Sequence, residues 1–292
     1  MLIKRRVKRS KFFLFKLITL LICNKMLPIK TALLYPTILI HGIGGDSSDL
    51  IDLKTGLESH GAEVYNMEIG NGKIDSIFWN INKQCITLSD NIYNLSLKSE
   101  KINLLGVSQG GLLARCYVEK YSNLIKPVHS LITYGSPHMG VYNSLIELKR
   151  LEYWKNPFKY QDYLENNDFL AYINNERLHN DVDLYKQNLM NLDNFLVVWT
   201  DLETVVTPKE STRFEFYNIS MAEKSGHLEI VDFYDSDLYL EDVLGLKELE
   251  KTGKLRIERY DCLHEEFKHP KCFNKIFSNQ PYTLLNMTLA LL

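Results

Sequence analysis

The sequence predicts an α/β fold with a mostly parallel sheet and helices on both faces of that sheet. From Pro36 onwards, short β-branched apolar runs alternate with stretches of helical spacing, which is the pattern of a parallel sheet covered by helices. The 292 residues, 45% of them hydrophobic, are enough to bury one sizeable core. We therefore expect one large domain over residues 25–292.

Apolar runs give the predicted strands, and the stretches between them give the predicted helices. The strands cover residues 37–42, 62–69, 101–107, 128–135, 194–200 and 254–260. The helices cover residues 47–59, 74–94 and 109–121. The alternation stops at about 141–193, where a structureless loop of that length would be unusual. We expect a helical cap insertion there, with ordinary helical packing on the flank of the sheet as the alternative.

Residues 1–24 are predicted to be a secretory signal peptide. They contain seven basic residues, no acidic ones and the apolar run 12–23, which is shorter than the roughly 20 residues that span a bilayer. An uncleaved signal-anchor is the alternative. Either one sends the rest of the chain into the endomembrane lumen, and after cleavage we expect no stable membrane insertion.

The charge of the remaining chain argues against a nucleic-acid partner. Once those seven basic residues are set aside, 27 of the 34 Lys and Arg remain against 36 Asp and Glu. Proteins that bind nucleic acid need a basic surface to displace phosphate counterions. We therefore expect none as a partner.

The cysteines are compatible with an oxidising lumen. Without Cys23, an even number remains and permits two disulfides, with free buried cysteines as the alternative. Cys262 and Cys272 are the more natural local pair, and Cys85 and Cys116 are the other two. None of the spacings is a CxxC pair, so we expect no metal site.

Three sequons provide candidate glycosylation sites. They begin at Asn94, Asn218 and Asn286. Such triplets are common by chance, so they support a lumenal protein only together with the signal peptide.

Ser108 is the predicted nucleophile. It follows the strand-like run INLLGV and precedes GGLLARCYVEKY, whose apolar residues recur at helical spacing. Glycines at 106 and 110 suit a sharp turn between strand and helix, because side chains there would clash with neighbouring backbone. Such a turn exposes the hydroxyl, and the following helix offers N–H groups to an oxyanion. A serine in a purely structural turn is the alternative.

His264 is the predicted general base, because on this scaffold an acid and then a histidine follow the serine along the chain. It lies four residues after the last predicted strand, and His269 is the fallback. The acid should follow the preceding strand, where TDLETVV offers Asp201 and Glu203. Either carboxylate can fix the imidazole tautomer and stabilise the imidazolium.

Two backbone N–H groups are the predicted oxyanion hole. One belongs to Ile43, in the glycine-rich loop HGIGGD after the first strand. The other belongs to Gln109, directly after the nucleophile. The glycines of the loop allow the backbone to approach a bound acyl group.

These motifs resemble the palmitoyl-protein thioesterases, a family of α/β-hydrolases, over nearly everything after Pro36. The similar segments are HGIGGDS, GVSQGG, GSPHMGVY, FLAYINNER, YKQNLMNLDNFLVVWTD, VVTPKESTRFEFYN and LEDVLGLKELEKTGKL. The last two are far more specific than G-x-S-x-G, because general esterases and lipases have no reason to share them.

The resemblance implies an α/β-hydrolase fold with Ser108 as nucleophile and His264 as its histidine. The family's aspartate lies five residues before the proline that corresponds to Pro208, and this count reaches Glu203. Glutamate therefore replaces aspartate, and we favour Glu203 over Asp201.

The resemblance also implies hydrolysis of the thioester between a long fatty acyl chain and a cysteine of a protein or peptide, in a lysosomal or secreted enzyme. No cofactor is expected, because a thiolate leaves readily and a Ser-His-acid site with an oxyanion hole suffices. Apolar residues of the insertion are candidates to line an acyl groove: Leu145, Ile146, Leu148, Leu151, Tyr153, Trp154, Phe158, Tyr160, Tyr163, Phe169 and Leu170. The alternatives are an acyl-CoA or lipid esterase of the same fold, and a non-catalytic homologue that binds lipid or protein.

Overall fold

The computed structural model describes residues 35–142 and 152–292. The predicted signal peptide and Cys23 lie outside the described residues. So do four of the candidate acyl-groove residues, Leu145, Ile146, Leu148 and Leu151.

A parallel sheet lies at the centre of the described part of the chain. Its strands lie side by side in the order β2-β1-β3-β4-β5-β8, and every neighbouring pair is parallel. They are β1 (Thr37–Ile40), β2 (Val64–Met67), β3 (Ile102–Val107), β4 (Val128–Tyr134), β5 (Asn194–Trp199) and β8 (Leu255–Arg259). Strands β1 and β3 are buried along their whole length, as expected where helices cover both faces. All six predicted strands and the α/β-hydrolase fold are confirmed.

The predicted helices are present, and one of them is divided. A 3-10 turn over Ser47–Leu50 leads into α1 (Ile51–Glu58). The stretch predicted as one helix over 74–94 forms α2 (Lys73–Phe78) and α3 (Ile81–Asn94). The helix stops because Trp79 is extended, and the Asn80 side chain then caps α3 by accepting the N–H groups of Asn82 and Lys83.

Helix α4 (Gln109–Tyr121) has the predicted bounds and starts directly after Ser108. The described part of 141–193 contains α5 (Tyr160–Asn166), α6 (Leu170–Ile173) and α7 (Val182–Met190). Of the predicted groove residues, Tyr153, Tyr163, Phe169 and Leu170 are buried in the core. The cap interpretation of this segment stays a prediction.

The C-terminal part adds an antiparallel pair that the sequence did not indicate, β6 (Phe216–Tyr217) and β7 (Ile230–Val231). Helix α8 (Ile219–Ser225) connects the two strands. Four more short helices follow the pair in the chain: α9 (Asp237–Leu240), α10 (Leu246–Lys251), α11 (Pro270–Phe273) and α12 (Leu284–Leu289). Three further 3-10 turns cover Lys209–Arg213, Phe233–Asp235 and His264–Lys268.

Two disulfides join the described cysteines. Cys262 bonds to Cys272, as the sequence suggested, and Cys85 of α3 bonds to Cys116 of α4. The first closes the short loop that contains His264. The second ties together two helices that pack next to each other.

The order of the strands determines where functional residues meet. The strands are parallel, so their carboxyl ends lie at one edge of the sheet, and the loops after β1, β3, β5 and β8 begin there. Those loops contain the residues singled out above.

Candidate active site

Ser108 lies in a strained turn between β3 and α4. Its φ of 57° and ψ of −126° are unusual for a residue with a side chain. Its N–H donates to the Tyr134 carbonyl at 2.8 Å, which ties the turn to the end of β4. The hydroxyl forms no hydrogen bond with another described residue and is partly accessible.

Glycines allow the backbone to pass close to this turn. A Cβ on Gly106 would lie 2.3 Å from the Gly110 carbonyl carbon and oxygen, and one on Gly110 would lie 2.2 Å from the Ile40 oxygen. A Cβ on Gly42 would lie 3.0 Å from the Ser108 Cβ. The loop after β1 is therefore in contact with the serine.

His264 and Glu203 form a buried pair. The His264 Nδ1–H donates to Glu203 Oε2 at 2.6 Å, an assignment that follows because an ionised carboxylate only accepts. Both residues are 8% exposed. This bond leaves His264 Nε2 without its proton in the neutral ring, which is the tautomer a general base needs.

The Glu203 carboxylate is held in its ionised form. Burial by itself would raise the pKa of this group, but the contacts that favour the ionised form, first among them the hydrogen bond from His264, together outweigh it and the pKa falls below its ordinary value. The N–H groups of Val206 and Val205 contribute to this lowering of the pKa by donating to Glu203 Oε1 at 3.0 and 2.7 Å. Both carboxylate oxygens therefore have partners.

The other candidates lie elsewhere. Asp201 is exposed and pairs with Lys209 at 3.1 Å and with Arg259 at 2.7 Å, and the Lys209 contact in particular lowers its pKa. His269, the fallback base, lies 3.3 Å from Asp52 and is exposed. Neither of these two side chains forms a hydrogen bond or an ion pair with His264, whose carboxylate partner is Glu203.

The His264 ring lies against the backbone next to the serine. A Cβ on Gly135 would lie 3.2 Å from His264 Nδ1 and 3.3 Å from its Cε1. Gly135 directly follows Tyr134, whose carbonyl binds the Ser108 N–H. The imidazole therefore packs onto the backbone one residue away from the group that anchors the serine.

The two predicted oxyanion donors are both available. Within residues 35–142 and 152–292, neither the Ile43 N–H nor the Gln109 N–H donates a hydrogen bond. Gln109 begins α4, and the first N–H groups of a helix have no partner within it. Unpaired N–H groups beside a strained serine are the arrangement expected of an oxyanion hole.

Comparison with known proteins identifies the family. The family model described as palmitoyl protein thioesterase matches residues 36–264. The chain belongs to the palmitoyl protein thioesterase family. It is a hydrolase related to thioesterases, as the motifs of the sequence predicted.

Curated relatives agree with this assignment. Palmitoyl-protein thioesterase 3 of Dictyostelium discoideum is 31% identical over 258 residues, which cover 80% of this chain and 86% of that protein. Palmitoyl-protein thioesterase 1 of Caenorhabditis elegans is 27% identical and covers 82% and 90%. Among solved structures, a monoacylglycerol lipase of Paleococcus ferrophilus is similar with a TM-score of 0.49 and 15% identity, over 88% of this chain and 94% of that one.

Exposed apolar side chains lie on α2 and next to Glu203 and His264 in the sequence. Three belong to α2, and three flank the acid and the histidine in the sequence: Ile74, Ile77, Phe78, Leu202, Val205 and Leu263. Phe78 is 71% exposed, and Ile77 reaches to within 3.9 Å of a Cβ placed on Gly44. Large exposed apolar side chains next to a site, as Ile77 and Phe78 are, are typical of apolar ligand binding.

A cavity of about 190 Å³ opens beside Gln109. Its apolar lining comes from Ile77, Phe78, Trp79 and Ile81. The sequence placed the apolar surface in the insertion, whereas the exposed part described here lies on α2 and the start of α3. No periodic signal distinguishes these residues from core, because α2 has only six residues.

Several residues at the site of the thioesterase were not singled out in the sequence. Gly135 is the last residue of the predicted strand 128–135. It leaves room for the His264 ring, and this role cannot be read locally because His264 lies far along the chain. Ser76 also contacts Gln109, and nothing in its local sequence indicates it. Tyr153 was predicted only as a candidate to line an acyl groove, whereas its hydroxyl donates to the Gln109 side chain. Within the described residues no helix is long and apolar enough to cross a membrane, and no cluster of three or more His, Cys, Asp or Glu side chains is arranged to hold a metal.

Proposed function

We propose that this protein hydrolyses the thioester of long-chain fatty acyl groups on protein cysteines, with Ser108 as nucleophile, His264 as general base and Glu203 as orienting acid. The observation that supports this most is the buried His264–Glu203 pair, packed against the backbone that anchors Ser108. Asp201 has no part in this mechanism, because its carboxylate is exposed and neutralised by Lys209 and Arg259.

Acylation begins when Ser108 Oγ attacks the thioester carbonyl and His264 Nε2 takes the hydroxyl proton. Glu203 stabilises the imidazolium that forms. The carbonyl oxygen becomes an oxyanion, which the N–H groups of Ile43 and Gln109 bind. When this intermediate collapses, the carbon–sulfur bond breaks and the cysteine leaves, taking the proton from His264.

Deacylation repeats the sequence with water. His264 removes a proton from the water, whose oxygen attacks the acyl-serine carbonyl, and the same two N–H groups bind the second oxyanion. Collapse releases the fatty acid and returns the proton to Ser108. The two steps together require only water, and neither involves a redox change or a cofactor.

The apolar surroundings favour a lipid substrate. The exposed side chains on α2 and beside Glu203 and His264 give an acyl chain a place to leave water. Burying a methylene group contributes about 0.8 kcal/mol, so a long chain gains much from even partial contact. The relatives from Dictyostelium discoideum and Caenorhabditis elegans are also named as palmitoyl-protein thioesterases.

A lysosomal or other lumenal location is part of the proposal. Two disulfides suit an oxidising compartment, and a relative from Drosophila melanogaster, 26% identical, has the name lysosomal thioesterase PPT2 homolog. The predicted signal peptide would deliver the chain there. Retention of the mature protein with lysosomal markers after cell fractionation would test this part separately.

The main experiment follows thiol release from an S-palmitoyl-cysteine peptide. The wild type should release thiol, and Ser108→Ala should reduce the rate to background. Asp201→Asn is the matched acid control and should retain the wild-type rate. Undiminished release by Ser108→Ala would show that another group performs the reaction.

Three further substrates and probes separate the alternatives. An acyl-CoA and an oxygen ester with the same chain test substrate class, and a kcat/KM higher on either than on the peptide would make the protein a lipid or acyl-CoA hydrolase. A fluorophosphonate probe should label Ser108 in the wild type. Absence of labelling in the folded protein would favour a non-catalytic binder.

A further inference from the structure

A buried polar network is hydrogen-bonded to the two segments that contain the proposed oxyanion donors. Its members are Ser76, Gln84, Gln109 and Tyr153, all at most 4% exposed. They come from α2, α3, α4 and the segment after the undescribed residues. Nothing in the proposed reaction steps uses their side chains.

Ser76 holds the loop that contains Ile43. The loop makes a turn over residues 42–45, closed by a bond from the Gly45 N–H to the Gly42 carbonyl at 3.2 Å. Gly44 has a φ of +68°, as the third residue of a type II turn requires. The Gly44 N–H, in the central peptide of this turn, donates to Ser76 Oγ at 2.9 Å. This bond holds the central peptide to α2, and the Ile43 N–H belongs to the peptide directly before it.

Ser76 also holds the residue that supplies the second donor. The Gln109 side chain donates from Nε2 to the Ser76 carbonyl at 3.0 Å and to Gln84 Oε1 at 2.9 Å. Its Oε1 accepts from the Tyr153 hydroxyl at 3.0 Å. Gln84 is itself held, since its Nε2 donates to the Trp79 carbonyl at 2.9 Å. The amide of Gln109 thus has a partner for each donor and for its acceptor.

Ser76 is hydrogen-bonded to both segments that contain the donors. Ile43 and Gln109 belong to different segments, yet an oxyanion must lie about 2.7–3.1 Å from both N–H groups. A misplacement of about 1 Å can cost a hundredfold in rate. Because hydroxyl and carbonyl of Ser76 bind the two segments, the distance between the donors depends on a single short helix. Tyr153 restrains Gln109 from the opposite side.

We propose that Ser76 is a positioning residue that sets the spacing of the Ile43 and Gln109 N–H groups, with Tyr153 as its support. This inference rests on the proposed function, because it concerns the oxyanion of that reaction. Its effect is confined to states in which charge develops on the substrate oxygen, so it acts on kcat and leaves substrate binding unchanged.

The test compares Ser76→Ala and Tyr153→Phe with two matched controls. Ser89→Ala removes a buried hydroxyl on α3 that bonds only within its own helix, and Tyr117→Phe removes a buried phenol bonded to the Lys126 carbonyl. On the S-palmitoyl-cysteine peptide, Ser76→Ala should lower kcat about tenfold with KM unchanged, as expected for misalignment of an oxyanion donor. Tyr153→Phe should lower kcat less, and the controls should keep it.

A transition-state analogue separates positioning from folding. A long-chain alkyl trifluoromethyl ketone forms a tetrahedral oxyanion on the serine, so its inhibition constant should rise in proportion to the loss of kcat. An S-hexadecyl thioether peptide has no such oxyanion and should bind the variants as it binds the wild type. Full activity of both folded variants, or equal weakening of both ligands, would overturn the inference.

Failure of the proposed substrate can be recognised in the same series. Phosphonylation of Ser108 by a fluorophosphonate also develops an oxyanion and needs no fatty acyl thioester. If the wild type labels but does not release thiol, the substrate proposal fails, and slower labelling of Ser76→Ala still supports positioning. If labelling of both variants matches the wild type, the positioning role is wrong whatever the substrate is. If Ser76→Ala does not fold, Tyr153→Phe decides by the same readouts.

Discussion

Glu203 Oε2 lies 2.6 Å from His264 Nδ1, although the two residues are 61 positions apart in the sequence. Asp201, only two residues before Glu203, points instead to Lys209 and Arg259 at the surface. The glutamate side chain reaches the imidazole from a segment whose Val205 and Val206 N–H groups hold its second oxygen. Both oxygens of the Glu203 carboxylate are therefore hydrogen-bonded, as the proposed role of orienting acid requires.

Removing the charge of the acid should separate the two carboxylates. Glu203→Gln should lower kcat roughly a thousandfold or more, because an amide no longer selects the required tautomer or stabilises the imidazolium. Asp201→Asn should change kcat about twofold or less, since exposed ion pairs contribute little. Steady-state kinetics on a palmitoyl-cysteine peptide measures both. Equal losses in the two variants would contradict the assignment of Glu203.

Gly135 should be needed for the position of His264. In Gly135→Ala, a left-handed alanine costs about 1–2 kcal/mol, and its Cβ would lie 3.2 Å from His264 Nδ1. Gly253→Ala is the matched control, because Gly253 also has a positive φ but no atom within 4 Å of the added Cβ. Thermal unfolding should show similar destabilisation of both. Only Gly135→Ala should lose activity, and equal activity of the two folded variants would refute the expectation.

The two disulfides should differ in what their loss affects. From the lengths of the loops they close, removing Cys85–Cys116 should cost about 4 kcal/mol and removing Cys262–Cys272 about 3 kcal/mol. The loop closed by Cys262–Cys272 contains His264, so the Cys262→Ser/Cys272→Ser variant should also lose kcat at a temperature where it stays folded. Denaturant unfolding and kinetics on both double variants test this. Greater loss of kcat in the Cys85→Ser/Cys116→Ser variant would be the contrary result.

Glu119 should make the protein more stable at acidic pH. Burial raises the pKa of this carboxyl from 4.5 to about 8, and Arg115 and Lys120 offset only part of the effect. Between these two pH values the folded state binds more protons than the unfolded state, so the free energy of unfolding falls as pH rises. The slope from this group is at most about 1.4 kcal/mol per pH unit.

Denaturant unfolding between pH 5 and pH 8 measures that slope. Glu119→Gln, which keeps the shape without the charge, should flatten it. Glu58→Gln, at an exposed residue paired with Lys54, is the control and should leave the slope as in the wild type. An unchanged slope in Glu119→Gln would mean that this carboxyl does not titrate in that range.

Much of the fold followed from local pattern. The six strands of the sheet and α4 were predicted nearly to their bounds, because apolar runs and glycine-rich turns are local features of the sequence. The divided helix over 74–94 was missed, because Trp79 and Asn80 form a cap that hydrophobic spacing does not reveal. The short pair β6 and β7 was missed for a similar reason, since two-residue strands leave no period.

The candidate site divides in the same way. The strand–serine–helix turn and the Ile43 loop each lie within a few residues, so short sequence motifs were enough to predict them. Such motifs were not enough to choose between Glu203 and Asp201, because both residues follow β5 and differ only in the direction of their side chains. Gly135 and Ser76 gave no signal, since each acquires its role from contact with a distant segment.

The sequence by itself determined the α/β fold, the family resemblance and the chain order of serine, acid and histidine. These depend on composition, spacing and short motifs, which the chain contains before it folds. Only the tertiary structure decided that Glu203 faces His264, that Gly135 lies beneath the imidazole, and that Ser76 joins both oxyanion segments. Such relationships depend on distances of about 3 Å between segments far apart in the chain, and packing of the sheet and helices fixes those distances.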